Sequence, residues 1–349
     1  MVYPENKITF LTNWEATAYH APIYLAQKLG FFEEQGIQVA ILEPSNPSDV
    51  TEIIGAGKID LGLKAMIHTI AAKARGYPLV SIGTLLDEPF TGVIHLSNKS
   101  GITEDFNSLR GKRIGYVGEF GKIQLDDLTR HFGMTPNDYT AVRVGMNCVD
   151  AIKRGEVDAG IGIECVQQVE LEDYAEEQGW GRGVVKMLRI DHLANLGCCC
   201  FCSILYVGNE EFIKNNPEKV QKFMRAVKKA TDYLITNPKE GYRKYTEVFP
   251  HLASSTNSKI FQRCFRYLSR DLKNVIRDWN KVTAYCKRLN IVGGNFVQNK
   301  TNQFLDWELL PEGPGGVEPD TVDTNVVEGG ACMCLHPDIS PPKNATIKA

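Results

Sequence analysis

A lysine and a histidine stand four residues apart in the segment DLGLKAMIHTIAAKA, where an apolar strand leads into a helix. If the helix begins near Lys64, then Lys64 and His68 project from one helical face. Partial burial would favour the neutral amine of Lys64, and a neutral amine can attack an aldehyde. The same pattern also fits an exposed lysine and a hydrogen-bonded helix histidine, so the pair alone leaves both interpretations open.

A second candidate is the run GEFGK, which comprises Gly118, Glu119, Phe120, Gly121 and Lys122 and is predicted to form a turn before a helix. Two glycines let the backbone approach an anion, the following helix start offers unpaired N–H groups, and Lys122 adds a positive charge. The spacing matches neither a P-loop nor a dinucleotide fingerprint. A phosphate site and an ordinary glycine-rich turn are both consistent with this run.

The cysteines are unevenly placed, since four of the ten lie within five positions: Cys198, Cys199, Cys200 and Cys202. In an extended segment, alternation puts Cys198, Cys200 and Cys202 on one face and Cys199 on the other. Three thiolates on one side can hold a soft or borderline metal ion. The alternative is a core strand with small buried side chains. Four cysteines in so short a run favour metal or redox chemistry.

The remaining candidates follow predicted strands. Asn13, Trp14, Tyr19 and His20 lie in the loop after the first strand, where an aromatic ring can stack on a flat ligand. Glu164 follows a later strand, where its carboxylate can meet a ring nitrogen. These placements predict contacts with a bound ligand.

The elements that must position these residues alternate between strand and helix. Such alternation indicates βαβ units and a largely parallel sheet. The sequence GKIDLG at 57–62 returns as GEVDAG at 155–160. This echo predicts two related lobes whose strand ends meet at a cleft, although helix–glycine–strand junctions recur in many α/β proteins.

Composition sets wide limits. The chain has 349 residues and a formal charge of −3, which gives no support for wholesale nucleic-acid binding. Neither a secretory signal nor a membrane-spanning apolar run is recognisable. The expected protein is therefore soluble and intracellular, with its cysteines as thiols.

Six segments closely resemble the fungal pyrimidine synthases of thiamine biosynthesis. They are NWEATAYHAPIYLAQ, EPSNPSDVTEIIGAGKIDLGLKAMIHTIAAKARG, LLDEPFTGV, GYVGEFGKIQ, DAGIGIECVQQVELE and LGCCCFC. The resemblance covers roughly residues 6–308, and GLKAMIH and CCCFC are its most specific parts. Members of this family make 4-amino-5-hydroxymethyl-2-methylpyrimidine phosphate, so the resemblance implies this activity.

The resemblance also implies a fold and an assembly. The fold is the periplasmic-binding-protein type II fold, an α/β fold with two α/β lobes around a cleft that the chain crosses twice. We expect one lobe from 1–94 with 210–308, the other from 95–209, and a mobile Pro/Gly-rich tail at 309–349. A cytoplasmic homodimer that binds a small-molecule substrate, and neither nucleic acid nor membrane, is expected.

The chemistry that the resemblance implies is unusual. Pyridoxal 5′-phosphate is consumed as a substrate, iron and oxygen are required, and each chain turns over once. Lys64 matches the lysine that forms a Schiff base with pyridoxal phosphate, and His68 matches the histidine whose imidazole is dismantled.

The other motif positions carry over as binding residues. The phosphate cradle corresponds to Gly118, Glu119, Phe120, Gly121 and Lys122, and the segment implicated in iron use corresponds to Cys198, Cys199, Cys200 and Cys202. From their place near the cleft, Asn13, Trp14 and Glu164 are expected to contact pyridoxal phosphate, and His20 to join the metal site.

Two other function classes stay open. A plain binding protein of this fold would capture a small, pyrimidine-like molecule without catalysis. A conventional pyridoxal-phosphate enzyme would use His68 as a general base and regenerate it. The number of product molecules formed per chain separates the second class from a single-turnover synthase.

Overall fold

Strands and helices alternate along most of the chain in a computed structural model that describes residues 6–87, 89–145, 147–190 and 203–311. The strands are β1 Lys7–Leu11, β2 Gln38–Leu42, β3 Leu61–Ala65, β4 Leu79–Leu86, β5 Thr91–Leu96, β6 Arg113–Tyr116, β7 Thr140–Arg143, β8 Ala159–Ile163, β9 Val185–Arg189 and β10 Ile204–Asn209. The helices are α1 Ala21–Lys28, α2 Phe31–Glu34, α3 Val50–Gly55, α4 Met66–Ala74, α5 Ser97–Ser100, α6 Gly118–His131, α7 Cys148–Lys153, α8 Val169–Glu177, α9 Glu210–Asn215, α10 Pro217–Thr236, α11 Pro238–Val248, α12 Ser255–Cys264 and α13 Ile276–Arg288.

The chain divides into two units, one formed by Met1–Glu88 with Asn195–Ala349 and the other by Pro89–Ala194. Within the described residues each unit contains a five-stranded sheet, with orders β2-β1-β3-β10-β4 and β7-β6-β8-β5-β9. In the first sheet β1 is parallel to β2 and β3, and β10 is antiparallel to β3 and β4. In the second sheet β6 is parallel to β7 and β8, and β5 is antiparallel to β8 and β9. The two sheets therefore share one topology.

The unit boundaries differ from those predicted from the sequence. The predicted boundary after residue 94 falls inside β5, which pairs in the second sheet. The predicted boundary after residue 209 assigns β10 to the second lobe, whereas β10 pairs with β3 and β4 of the first sheet. No glycine or proline separates β10 from the cysteine segment before it, so the sequence shows no break at this point. The predicted tail from residue 312 onward lies outside the described residues.

The echoed sequence forms the same junction in both units. Gly57 and Gly155 end their helices with positive φ angles of 69° and 70°, which glycine adopts without strain. The carboxylate of Asp60 accepts the backbone N–H of Thr9 in β1 at 2.7 Å. In the second unit, Asp158 accepts the backbone N–H of Arg113 in β6 at 2.8 Å. The echo thus ties the third parallel strand of each sheet to the first.

The last glycine of each echoed sequence lets its strand pack closely against neighbouring elements of the same unit. A Cβ on Gly62 would lie 2.4 Å from the backbone oxygen of Leu11 and 2.7 Å from the Ile54 side chain. A Cβ on Gly160 would lie 2.6 Å from the Cβ of Cys148. Only glycine fits at either position without displacement of its neighbours.

Helix α10 packs against the first unit's sheet, to which β10 has already returned the chain. Its buried face follows helical spacing and comprises Val220, Phe223, Met224, Val227, Ala230 and Leu234. The ring of Phe223 stacks on Phe10 of β1 at 5.3 Å between centroids and on Phe32 of α2 at 5.6 Å. This contact joins the sheet to two helices, so it lies at the centre of the first unit's core.

A further segment lies against β4 outside the regular strands. The backbone N–H of Ser81 donates to the oxygen of Asn299 at 2.9 Å, and Thr301 N–H donates back to Ser81 at 2.8 Å. The side-chain amide of Asn299 donates to the backbone oxygens of Thr69 and Leu79, both at 3.1 Å. The residues near 300 are therefore part of the first unit's core. Among the described helices, none combines the length and apolar character needed to cross a membrane.

Candidate functional site

The carboxyl ends of β1, β2 and β3 meet at one edge of the first sheet because these strands are parallel. Asn13 follows β1, Pro47 lies beyond the end of β2, and Lys64 is the fourth residue of β3. Open α/β sheets bind ligands at this kind of edge. Lys64 and the loop after β1, which were predicted separately from the sequence, therefore belong to one edge of one sheet.

Lys64 is buried, with 5% of its surface exposed. Its Nζ donates a hydrogen bond to the backbone oxygen of Pro47. Burial lowers the pKa of Lys64 from 10.5 to about 8, while the carboxylates of Glu52 and Asp49 act in the opposite direction. With this pKa about one Lys64 amine in ten is neutral at pH 7, far more than for an ordinary lysine, and nucleophilic attack requires the neutral form.

His68 lies in the first turn of α4, which begins at Met66. Burial lowers the pKa of His68 well below its usual value, and the positive charges of Lys64 and Arg75 lower it further. The imidazole is therefore neutral at physiological pH, and Lys64 is near enough to influence its charge.

One premise about this pair is corrected. From the sequence, Lys64 and His68 are expected on one face of a helix only if that helix begins near Lys64. The helix begins two residues later, and Lys64 belongs to β3. The strand continues because Lys64 pairs with Leu205 of β10, a partner that local sequence does not reveal. The two side chains are brought together by a strand-to-helix junction.

His20 is completely buried in a short chain of hydrogen bonds. Its Nδ1 accepts the backbone N–H of Thr17 at 3.1 Å, so the ring proton lies on Nε2, which is 2.9 Å from Oδ1 of Asn13. The Asn13 amide donates to the hydroxyl of Tyr19 at 3.0 Å. Burial lowers the pKa of His20 to about 3. His20 could ligate a metal only by giving up one of these hydrogen bonds. Trp14, the residue after Asn13, is partly exposed.

In the second unit, the run from Gly118 to Lys122 forms the first turn of α6 and is not a separate turn before it. The helix begins earlier than predicted because Gly118 adopts a φ of 67° and reverses the chain directly after β6. Val117 at the N-cap provides no side-chain hydrogen bond to the first N–H groups. A helix start without a capping side chain is able to bind an anion.

The charged residues of this turn have defined surroundings. Lys122 forms an ion pair with Asp126 one turn later, with Nζ–Oδ1 at 2.5 Å, and Asp126 also accepts the hydroxyl of Tyr139. Glu119 is exposed and Phe120 is buried. Glu164 begins a π-helical turn directly after β8. Its backbone N–H donates to the backbone oxygen of Phe90 at 2.8 Å.

The cysteine segment with Cys198, Cys199, Cys200 and Cys202 lies outside the described residues, as do Cys332 and Cys334. The described chain resumes at Ser203, whose backbone oxygen accepts the N–H of Met66 at 3.0 Å. In the sequence, Cys202 directly precedes Ser203, and Ser203 directly precedes β10, which pairs with the strand that holds Lys64. Within the described ranges, no group of three or more His, Cys, Asp or Glu side chains is placed to hold a metal ion. Cys148, Cys165, Cys264 and Cys286 are reduced and buried, consistent with packing.

Sequence reasoning missed the residues that surround the Lys64 amine. Pro47 and Asp49 lie in the 3₁₀ turn Pro47–Asp49, and Glu52 lies in the first turn of α3. The available signal was the run NPSD directly after an apolar strand, at the same sheet edge as Lys64.

Comparison with solved structures places the molecule in a fold class. The alkanesulfonate-binding protein SsuA from Xanthomonas axonopodis pv. citri, bound to MOPS, aligns over 83% of this chain and 94% of its own, with a TM-score of 0.63 at 15% identity. A Candida albicans protein described as having the generic periplasmic binding protein structural fold aligns over 89% and 99%, with a TM-score of 0.58 at 15% identity. The predicted fold class is confirmed: the chain has the two-unit α/β fold of periplasmic binding proteins.

Comparison of sequences identifies the family. Residues 17–241 match the family described as NMT1/THI5 like. The 4-amino-5-hydroxymethyl-2-methylpyrimidine phosphate synthase of Aspergillus parasiticus is 63% identical over 304 residues, which cover 87% of this chain and 89% of the relative. The enzyme of the same name from Schizosaccharomyces pombe is 60% identical, covering 88% of each chain. This chain belongs to the NMT1/THI5-like family, and the resemblance stated from the sequence is confirmed.

Proposed function

We propose that this protein synthesises 4-amino-5-hydroxymethyl-2-methylpyrimidine phosphate for thiamine biosynthesis, with pyridoxal 5′-phosphate and its own His68 as substrates. Relatives that are 63% and 60% identical carry the name of this synthase. The observation that carries the mechanistic part is the buried Lys64 amine, whose pKa is lowered to about 8 beside a neutral imidazole. A binding protein needs neither group.

Lys64 is the proposed point of covalent attachment. Its lowered pKa makes the neutral amine available without a separate base, because burial removes the water that would stabilise the ammonium. Attack by the amine on an aldehyde carbon releases one water and needs no oxidant. Pyridoxal phosphate, when bound, supplies that aldehyde and an electron-accepting ring.

The imidazole of His68 is the proposed source of nitrogen and carbon for the pyrimidine product. A neutral imidazole is the form that can react, and both burial and the positive charge of Lys64 favour it. The junction between β3 and α4 holds the imidazole close to the lysine. The four-residue spacing therefore keeps donor and anchor together without placing both on one helix.

The family resemblance supports the remaining proposed binding residues. The uncapped first turn of α6, from Gly118 to Lys122, would hold the phosphate. Asn13 and Trp14 would contact the ring from the loop after β1, and Glu164 would meet its nitrogen. The pairing of Lys122 with Asp126 means that the backbone N–H groups of α6 would supply most of the phosphate contacts.

The oxidative part of the proposal depends on iron and oxygen. Opening an imidazole ring exceeds what acid–base side chains achieve, so a redox metal is required. The proposed ligands are Cys198, Cys199, Cys200 and Cys202, with their thiolates as soft donors. His20 is the weakest member of the proposed metal site, because both of its ring nitrogens already form hydrogen bonds. We also propose a single turnover per chain and a cytoplasmic homodimer, on the strength of the family resemblance.

The decisive experiment follows the fate of His68. Protein is incubated with pyridoxal phosphate, ferrous iron and air, and the peptide around position 68 is examined by mass spectrometry. The expected result is loss of the imidazole in step with product, at no more than one product per chain. An intact His68 alongside product would refute the suicide mechanism.

Two variants complete this test. His68→Asn is expected to form no product, whereas His251→Asn, which changes an exposed histidine in the same unit, is expected to react normally. More than one product per chain with an intact His68 would favour a conventional pyridoxal-phosphate enzyme. Tight capture of a pyrimidine with no product from the wild type would favour a plain binding protein.

A further inference from the structure

The Lys64 amine is held by a part of the chain that the proposed chemistry does not use. Its Nζ donates to the backbone oxygen of Pro47, within the short turn formed by residues 46–49. Three N–H groups are present on an ammonium and two on a neutral amine. The bond to Pro47 can therefore persist after proton loss, with the nitrogen lone pair free to react.

The 46–49 turn is fixed by its own side chains. Oδ1 of Asn46 accepts the backbone N–H of Ser48 at 3.1 Å, and Nδ2 of Asn46 donates to Oδ1 of Asp49 at 3.0 Å. The following helix α3 is anchored by Val50 and Ile54, which are fully buried. The carbonyl that Lys64 meets is thus part of an ordered element attached to the core.

Two carboxylates act on the same amine. Asp49 belongs to the turn and Glu52 to the first turn of α3, and both favour the protonated form of Lys64. From α4, the imidazole of His68 is neutral and adds no charge. Glu52 also accepts the hydroxyl of Thr51 at 3.2 Å, which keeps its carboxylate oriented. Burial and the two carboxylates therefore oppose each other at Lys64.

We propose that the 46–49 turn and Glu52 are positioning elements of the active site, which hold the Lys64 amine on the Pro47 carbonyl and restrain its reactivity toward an aldehyde through the carboxylates of Asp49 and Glu52. Only the identity of the aldehyde rests on the proposed function. Condensation joins the amine nitrogen to the aldehyde carbon, and the carbonyl oxygen leaves as water with the two amine protons. The protonated amine cannot begin this step, so groups that favour protonation slow it.

The first measurement reads the amine directly. Lys64 is acetylated with a trace of acetic anhydride across a pH series, and its labelling is quantified by peptide mass spectrometry against the other lysines. Glu52→Gln and Asp49→Asn should each move the Lys64 profile to lower pH. Labelling at pH 7 should rise roughly two- to fourfold, as expected for loss of one nearby charge in a partly screened site. The plateau at high pH should not change.

The controls address folding and specificity. Glu33→Gln, which changes an exposed carboxylate in the same unit, should leave the Lys64 profile in place. Glu52→Asp, which keeps the charge, should restore most of the wild-type profile. A merely structural role for Glu52 would lower the thermal midpoint without moving the profile. An unmoved profile in both carboxylate variants, or one displaced to higher pH, overturns the inference.

A second measurement separates this inference from the proposed function. The same variants are mixed with pyridoxal 5′-phosphate, and imine formation is followed by visible absorbance, with Lys64→Arg as the blank. Faster capture in Glu52→Gln than in the wild type at pH 7 supports the inference. If the acetylation profile moves but Lys64→Arg still captures pyridoxal phosphate, the inference stands and the proposed role of Lys64 fails.

Discussion

Replacement of Lys64 by methionine should stabilise the protein at neutral pH while abolishing its activity. One pH unit of pKa displacement corresponds to about 1.4 kcal/mol, so a pKa lowered from 10.5 to about 8 means that protonated Lys64 costs the folded state about 3 kcal/mol. Methionine keeps an unbranched apolar side chain of similar length without the charge. Part of the gain is offset because the hydrogen bond to Pro47 is lost. We expect a net gain of about 1–3 kcal/mol at pH 7.

The sign of the pH dependence follows from the lowered pKa. Below pH 8 Lys64 is charged in both folded and unfolded chains, so the full cost of burial is present. Between pH 8 and 10.5 only the unfolded chain binds the proton, so wild-type stability due to this group rises with pH. Above 10.5 the amine is neutral in both states and the cost is gone. The advantage of Lys64→Met should therefore shrink as pH rises from 8 to 10.5.

Urea unfolding followed by circular dichroism at pH 7 and at pH 10 checks this expectation. The control is Lys58→Met, which alters an exposed lysine at the preceding glycine junction and should change stability by less than about 0.5 kcal/mol. A Lys64→Met protein that is no more stable than the wild type at pH 7 would show that the buried Lys64 charge does not destabilise the fold. An advantage of equal size at both pH values would show that it comes from packing and not from charge.

Three further substitutions test other parts of the structure. Gly62→Ala should cost about 2–3 kcal/mol in thermal unfolding, because its Cβ would meet the backbone oxygen of Leu11 at 2.4 Å; an unchanged midpoint would contradict the close packing. Gly118→Ala should lower the free energy of unfolding by about 1 kcal/mol, since the φ of Gly118 is 67°. It should also weaken the binding of pyridoxal phosphate measured by calorimetry, and an unaltered affinity would argue against the phosphate site. His20→Gln should cost about 2 kcal/mol in urea unfolding because it disrupts the buried bonds to Thr17 and Asn13; a larger effect on iron content than on stability would instead support a metal role.

Much of the first unit could be predicted because local sequence determines it. The strand at 7–11, the helix start after Asn216 and the echoed glycine junctions depend on residues that are adjacent in the chain. The lowered pKa of Lys64 agrees with one of the two interpretations of the sequence, in which the lysine between an apolar strand and an apolar helix is buried. These features need no knowledge of distant partners.

The features that escaped prediction depend on distant contacts. Lys64 stays in a strand because β10 pairs with it, although β10 lies far along the chain. The acceptor for the Lys64 amine is the backbone oxygen of Pro47. Every residue has a backbone oxygen, so residue types do not indicate which one accepts the bond. Likewise, the residues near Asn299 attach to β4 through backbone hydrogen bonds with Ser81 and through the side-chain amide of Asn299, without a strand-like sequence pattern. Topology, not propensity, determines each of these contacts.

The position of β10 between β3 and β4 also determines when the lysine site is completed during synthesis. The second unit is made from one uninterrupted stretch, Pro89–Ala194, so its whole sheet can form before β10 leaves the ribosome. Until then the strand that lies between β3 and β4 is missing. Lys64 of β3 therefore has no Leu205 to pair with. The unit that begins the chain therefore finishes folding last. A nascent or truncated chain that ends before β10 therefore lacks the strand that pairs with Lys64.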